Sequence, residues 1–349
     1  MVAFSTLGFS ADWRPRLAAD YLDGREKAWF EWRNAIQYAG GPCISCHTGI
    51  PYLMARPRLR KALGEAQPTS WEQGLIGGVR ARVDITDPAQ FSKNPGFINN
   101  PRAARFVSAE SIFAALLLTL DNPTGADVPR AFDRMWSLQL KDGADQGAWQ
   151  WLVTFGDPSS NPEATYFGAS LAAMAVASAP AEYRKRADVQ AHVASLAAYF
   201  ENHRERQPLY NRLSLLWASS KLPSILPAAA QRSLIDQTLK RQEADGGWRM
   251  ESLGPWAAHP EAPPSSGSSS YATGYVALTL QKAGMKPSNP ALARALTWLR
   301  THQDSQAGYW EAQSMNKTYD AGSMMVQFAR DTATAYAALA LLEAGDAGK

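Results

Sequence analysis

Apolar residues recur at helical spacing along most of the chain, in two styles that alternate. Segments 227–243 and 289–303 are amphipathic and keep a wet face. Segments 269–283 and 331–344, rich in Ala, Leu, Thr and Tyr, are apolar almost all round and therefore read as buried helices. The two styles pair off with a period of 61 residues, which also separates Gln242 from Gln303, Tyr275 from Tyr336 and Gly284 from Gly345. Read backwards, the rhythm continues: 187–204 with 209–220, 126–140 with 163–178, 71–82 with 109–120, and 16–38 with 49–63. Six such pairs predict an all-α, closed (α/α)6 toroid of outer and inner helices, a single domain over 1–349. Links from outer to inner helix are long in five of the six pairs. The long loops should therefore share one mouth with the inner helices' N-termini, where function concentrates.

Composition narrows the reading. The 349 residues are 46% hydrophobic and 19% charged, which excludes a disordered chain. No strictly apolar run reaches the ~20 residues of a membrane helix, so no transmembrane segment is expected. A net charge of +3 without a basic cluster argues against nucleic acid as partner. The opening residues show no signal-peptide pattern, which implies either a cytoplasmic chain or one already processed.

Three Gln–Trp turns stand between helices. Gln242-Glu243-Ala244-Asp245-Gly246-Gly247-Trp248 is the tightest; Gln303 to Trp310 and Gln139 to Trp149 are looser copies. These turns resemble the Gln-Trp repeats of terpenoid cyclases such as squalene–hopene cyclase, and the alternation resembles the toroid those cyclases share with protein prenyltransferases. The resemblance implies a toroid that encloses an apolar, isoprenoid-like molecule. The Asp-x-Asp-Asp acid of those cyclases is absent, Val83-Asp84-Ile85-Thr86-Asp87 having the wrong spacing. Asp331 and Glu163, at inner-helix N-termini, read as capping residues or acids.

Both cysteines fall in Cys43-Ile44-Ser45-Cys46-His47, which excludes a disulfide-built fold. Cys-x-x-Cys-His is the attachment signature of c-type haem and resembles cytochromes c over this stretch. The resemblance implies thioethers from Cys43 and Cys46 and an axial bond from His47. Zinc or thiol-redox chemistry at the three residues, or two incidental thiols, are the alternatives. If pair six closes on pair one, Met324, Met325 or Met315 becomes the expected sixth iron ligand, ahead of Met54. His259, in a mouth loop, is a further candidate.

These features predict a haem c-bearing redox protein that transfers electrons or oxidises an apolar ligand in the central cavity. A redox partner or isoprenoid-like small molecule is then expected, in the periplasm or another exported compartment. The alternatives are a terpenoid cyclase-like enzyme with a zinc or structural cysteine motif, or a non-catalytic lipid- or partner-binding toroid.

Overall fold

The structure is a computed structural model that describes residues 13–153, 158–161, 164–256 and 259–348. Its long helices alternate as the hydrophobic pattern requires. The outer helices are α1 (Pro15–Glu31), α3 (Ser70–Ala81), α5 (Asp127–Ser137), α7 (Ala187–His203), α9 (Ala228–Leu239) and α11 (Pro290–Thr301). The inner ones are α2 (Gly49–Ala62), α4 (Ala103–Asp121), α6 (Thr165–Ser178), α8 (Leu209–Ser219), α10 (Ser270–Lys282) and α12 (Phe328–Glu343). Each inner helix packs on the next, and α12 packs on α2, so the ring is closed. Outer helices α5, α7, α9 and α11 rest mainly on the inner helix that precedes each, whereas α1 and α3 pack on the inner helices to both sides. The toroid is therefore observed. Every residue of α10 from Ser270 to Gln281 is buried, whereas α5 buries Val128, Ala131, Phe132, Met135 and Trp136 and leaves most of its remaining residues to solvent. That difference in wet surface assigns the two layers.

Local chemistry sets the helix ends. Thr69 and Glu72 form a reciprocal capping box at the start of α3, with N–O distances of 3.1 and 2.8 Å. Asn289 caps α11, and Pro290 occupies its first turn. The first outer helix ends at Glu31, short of the expected 38. The chain there turns into a hairpin, β1 (Gln37–Tyr38) antiparallel to β2 (Gly41–Pro42). Glu163 and residues 1–12 lie outside the described residues. Helix α4 is long and apolar enough to cross a membrane by length and composition, but most of it is buried among the other inner helices.

The three Gln–Trp turns fasten the outer layer. Gln242 Nε2 donates to Gly246 O in its own turn (2.8 Å) and to Ala291 O in α11 (2.7 Å). Gln139 Nε2 likewise reaches Gly147 O (2.9 Å) and His192 O in α7 (3.2 Å). Gln303 Nε2 reaches Gly308 O (2.9 Å) and Arg14 O at the head of α1 (3.0 Å). Each amide thus ties one outer helix to the next. The buried Trp149, Trp248 and Trp310 rings donate to Met135 O, Thr238 O and Leu299 O at 2.7, 2.9 and 2.8 Å. Gly308 has φ +80, and a Cβ there would meet Leu17 backbone carbon at 2.3 Å, so the turn presses directly on α1.

Replacing Gln303 by Ala should cost about 1–3 kcal/mol, because it leaves Gly308 O and Arg14 O without this donor. Trp248→Ala should cost about 3–5 kcal/mol through lost packing. Denaturant unfolding of both variants checks the order.

Candidate functional site

Two neighbouring spaces, which share Tyr271 as a lining residue, lie at the mouth. The deeper one, about 270 Å³, lies inside the ring of inner helices. Its wall is largely aromatic and aliphatic, with Phe113, Trp151 and Phe167 on one side and Tyr275 and Tyr336 on another. Cys43, Cys46 and His47 line it together, and Arg102 and Arg105 also border it. No Asp or Glu side chain contributes to this wall among the described residues.

The cysteine turn is held from several directions. Cys43 N–H donates to Ile36 O (2.8 Å), and Trp29 Nε1 donates to Cys43 O (2.8 Å). Ser45 adopts φ +48, unusual for a side-chain-bearing residue, and its hydroxyl oxygen accepts from Thr48 N–H (3.1 Å). The turn then folds onto the start of α2, where a Cβ on Gly49 would sit 2.1 Å from Ile44 O. Only glycine fits there. The His47 ring stacks on Phe328 at 5.2 Å, and Thr332 Oγ1 donates to His47 O (3.0 Å). The last inner helix therefore meets the first turn, as ring closure requires. Neither cysteine is in a disulfide. Burial pushes the Cys43 thiol up to about 11, so it stays protonated at neutral pH and lacks the thiolate of a reactive cysteine.

Behind the turn is a buried ionic knot. Asp331 accepts from Arg25 Nε (2.8 Å), Tyr21 Oη (2.8 Å) and Thr48 Oγ1 (2.9 Å). It is fully buried and ties α12 to α1 and to the cysteine turn, so its three bonds are structural rather than those of a helix cap. Burial raises its carboxyl above the ordinary value, with Arg25 acting in the opposite direction. Glu26 beside it has both carboxylate oxygens buried without a partner. Burial, reinforced by the Asp331 charge, pushes Glu26 up to about 8, so it holds a proton at neutral pH.

The methionines named from sequence go to different places. Met324 offers its carbonyl oxygen and sulfur to Arg25 Nη2 (3.2 and 3.0 Å), and Met315 borders the outer space. Met325 lies in the short helical turn before α12 and lines neither space. Met54, in the second turn of α2, lines the cavity with the cysteines.

The outer space is a groove of about 570 Å³ formed by the loops of the last two repeats. Trp256 and Tyr271 give it an aromatic surface, and His259 and serines 265–269 border it. Glu251 enters from one loop, held by the Ser265 hydroxyl, and Glu311 from the next, paired with Arg330 (2.7 Å). Tyr271 belongs to both spaces, so the groove sits above the cavity. Sequence reasoning missed both glutamates. Their signal was position: each follows the Trp of a Gln–Trp turn within three residues and so leads into a mouth loop. His192 and His302 instead stack on Trp136 and Trp298.

Fold and mouth together define an (α/α)6 toroid with an open groove above an apolar cavity. No family model matches the chain, and no curated protein matches its sequence. Among solved structures, it is similar to an inactive variant of the α-1,6-mannanase GH76A of Salegentibacter sp. HEL1_6 in complex with α-1,6-mannotetrose. That match has a TM-score of 0.51 and 12% identity, over 94% of this chain and 99% of the other. The GH76A α-1,6-mannanase structure itself matches with a TM-score of 0.50 and 10% identity, over 94% and 100%. Identity this low establishes the shared fold alone.

These neighbours correct the functional expectation. The toroids this chain is similar to are mannanases, one of them holding a mannooligosaccharide, and neither is a redox protein or a terpenoid cyclase. The haem redox function, the cyclase-like and lipid-binding alternatives, and the redox or isoprenoid-like partner are set aside with it. The physical reason lies in the Gln–Trp turns. Their hydrogen bonds clasp helices and reach no ligand space, so they report architecture and say nothing about cargo.

Glu26 generates a pH prediction. Its carboxyl titrates near the ordinary 4.5 in the unfolded chain and near 8 when folded, so folding favours the protonated form. The unfolded state then binds fewer protons across that window, and stability falls as pH rises from about 4.5 to about 8. Glu26→Gln should flatten that decline, which denaturant midpoints measured across the window will show.

Proposed function

We propose that the protein binds a saccharide in the groove above the central cavity. One observation carries the reading: two successive mouth loops bring Glu251 and Glu311 to one groove beside the Trp256 and Tyr271 rings. Carboxylates accept hydrogen bonds from sugar hydroxyls, and aromatic rings cover the apolar faces of sugar rings. The mannooligosaccharide bound to a toroid of the same architecture supports the choice of ligand class. A carboxylate pair is also the equipment of glycoside hydrolysis, one group acting as acid and the other as base or nucleophile. Calorimetry with α-1,6-mannooligosaccharides, alongside an assay for newly released reducing ends, tests both levels. Trp256→Ala should weaken binding on the order of tenfold, equivalent to about 1.4 kcal/mol. If hydrolysis occurs, Glu251→Gln and Glu311→Gln should each lower it by at least ~100-fold. Absence of binding to any oligosaccharide would sink the reading.

A second reading concerns only a bound group at Cys43, Cys46 and His47, and we propose that this set is an attachment site for haem c. Its support is that both thiols and the imidazole line one largely apolar cavity, with Arg102 and Arg105 at its border to meet propionate carboxylates. Cys43 and Cys46 would hold the haem and His47 would ligate its iron, which would supply redox chemistry to the cavity. Zinc fits less well: among the described residues no three His, Cys, Asp or Glu side chains are arranged to hold a metal ion. Attachment would place the chain in the periplasm or another exported compartment. Intact mass of protein matured in a haem-attaching host should rise by one haem, and Cys43→Ser with Cys46→Ser should abolish the gain. An unchanged mass removes this reading and leaves the groove untouched.

A further inference from the structure

The wall of the central cavity, about 270 Å³, is rich in rings: ten of the side chains that line it are Trp, Tyr or Phe. Trp151 is fixed among them. Its ring meets Phe113 and Phe167 edge-on at 5.5 and 6.3 Å, and its Nε1 donates to Ser159 O (2.8 Å). A Cβ on Gly168 would sit 2.2 Å from that ring, so α6 lies directly against it. Rings held in this way present faces and edges to a planar guest without rearranging.

Most polar groups in the wall are spent on the protein. Tyr271 Oη pairs with Tyr210 Oη (3.1 Å), and Tyr275 Oη donates to Tyr210 O (2.9 Å). Ser214 Oγ donates to Asn211 O (2.6 Å), and Thr332 Oγ1 to His47 O (3.0 Å). Arg102 and Arg105 differ. They stand three residues apart at the head of α4, a spacing that puts them on one face, and both border the cavity. Among the described residues neither guanidinium has an ion pair or a hydrogen-bond acceptor, and no Asp or Glu in the wall offsets them. Arg102 is exposed and Arg105 half-buried, so both remain open to a ligand. The N-terminal end of α4 adds partial positive charge at the same point.

Aromatic walls beside two unmatched positive charges define a class of ligand. The walls take a planar ring system, and a guanidinium fork takes a carboxylate in its own plane. One negative charge also costs less to desolvate beside an apolar wall than the two of a phosphate. We propose that the cavity is a binding site for a planar aromatic carboxylate, its rings between the aromatic walls and its carboxylate on Arg105, with Arg102 beside it. Two sources share this chemistry: a free aromatic acid, and a haem tethered at Cys43 and Cys46, whose propionates are the carboxylates. The groove takes no part, so this assignment is independent of the saccharide reading.

The test titrates the full chain, produced without haem, with 2-naphthoate and with the uncharged 2-naphthalenemethanol. Fluorescence of Trp29, Trp151 and Trp217, which line the cavity, reports binding. 2-Naphthoate should bind saturably and at least tenfold tighter than the alcohol. Arg105→Met should remove that preference and leave the alcohol's affinity unchanged, which separates a lost charge contact from a collapsed cavity. Arg102→Gln should weaken 2-naphthoate several-fold, and it decides if Arg105→Met fails to fold. A chain that has gained one haem by intact mass should lose 2-naphthoate binding, which assigns the cavity to the tethered group. A chain that gains none in a haem-attaching host assigns it to the free acid. Equal affinity for acid and alcohol, a preference unchanged in the foldable variants, or 2-naphthoate binding undiminished by attached haem would each overturn the proposal.

Discussion

The toroid depends on a side-chain amide that bonds in two directions. Gln139, Gln242 and Gln303 each hold the carbonyl of their own turn and a carbonyl of the next outer helix. Outer helices have a wet face and cannot gain much from burying against one another, so burial alone does not set their spacing. A primary amide carries two N–H donors and can satisfy both carbonyls at once. Gln303 matters most, because its partner is Arg14, at the other end of the chain. This bond ties the last repeat to the first helix and makes a stack of helix pairs into a ring.

Ring closure in turn creates the mouth. With α12 packed on α2, Phe328 stacks on His47, and Asp331 reaches Arg25 and Tyr21 of α1 and Thr48 at the head of α2. A buried ion pair of this kind adds little net stability, since desolvation opposes its Coulomb attraction. Its directional bonds hold the cysteine turn in one orientation against the cavity. The same closure sets the loops of the last two repeats side by side, which is what produces the groove with Glu251 and Glu311.

The candidate site was only partly legible in the sequence. Cys43, Cys46 and His47 were visible because their signal is local: five consecutive residues carry it. Met54, ranked behind the loop methionines from sequence, nevertheless lines the cavity with the cysteines. Met324, favoured from its neighbourhood, turns toward Arg25 instead. Glu251 and Glu311 carry no local pattern at all. They become a pair only because loops 60 residues apart in the chain are neighbours at the mouth. The resemblance to terpenoid cyclases read the architecture correctly and the ligand wrongly, since the residues behind it hold helices together.

What the sequence by itself determined is the alternation of wet and dry helices, their number and their order, because amphipathic spacing and turn residues act over a few residues. The tertiary structure alone decided which side chains share a space. The apolar pattern specifies that a helix is buried, but rotation of each inner helix within the ring selects the residues that face the cavity. That rotation is set by packing among six helices together, a constraint no single segment contains.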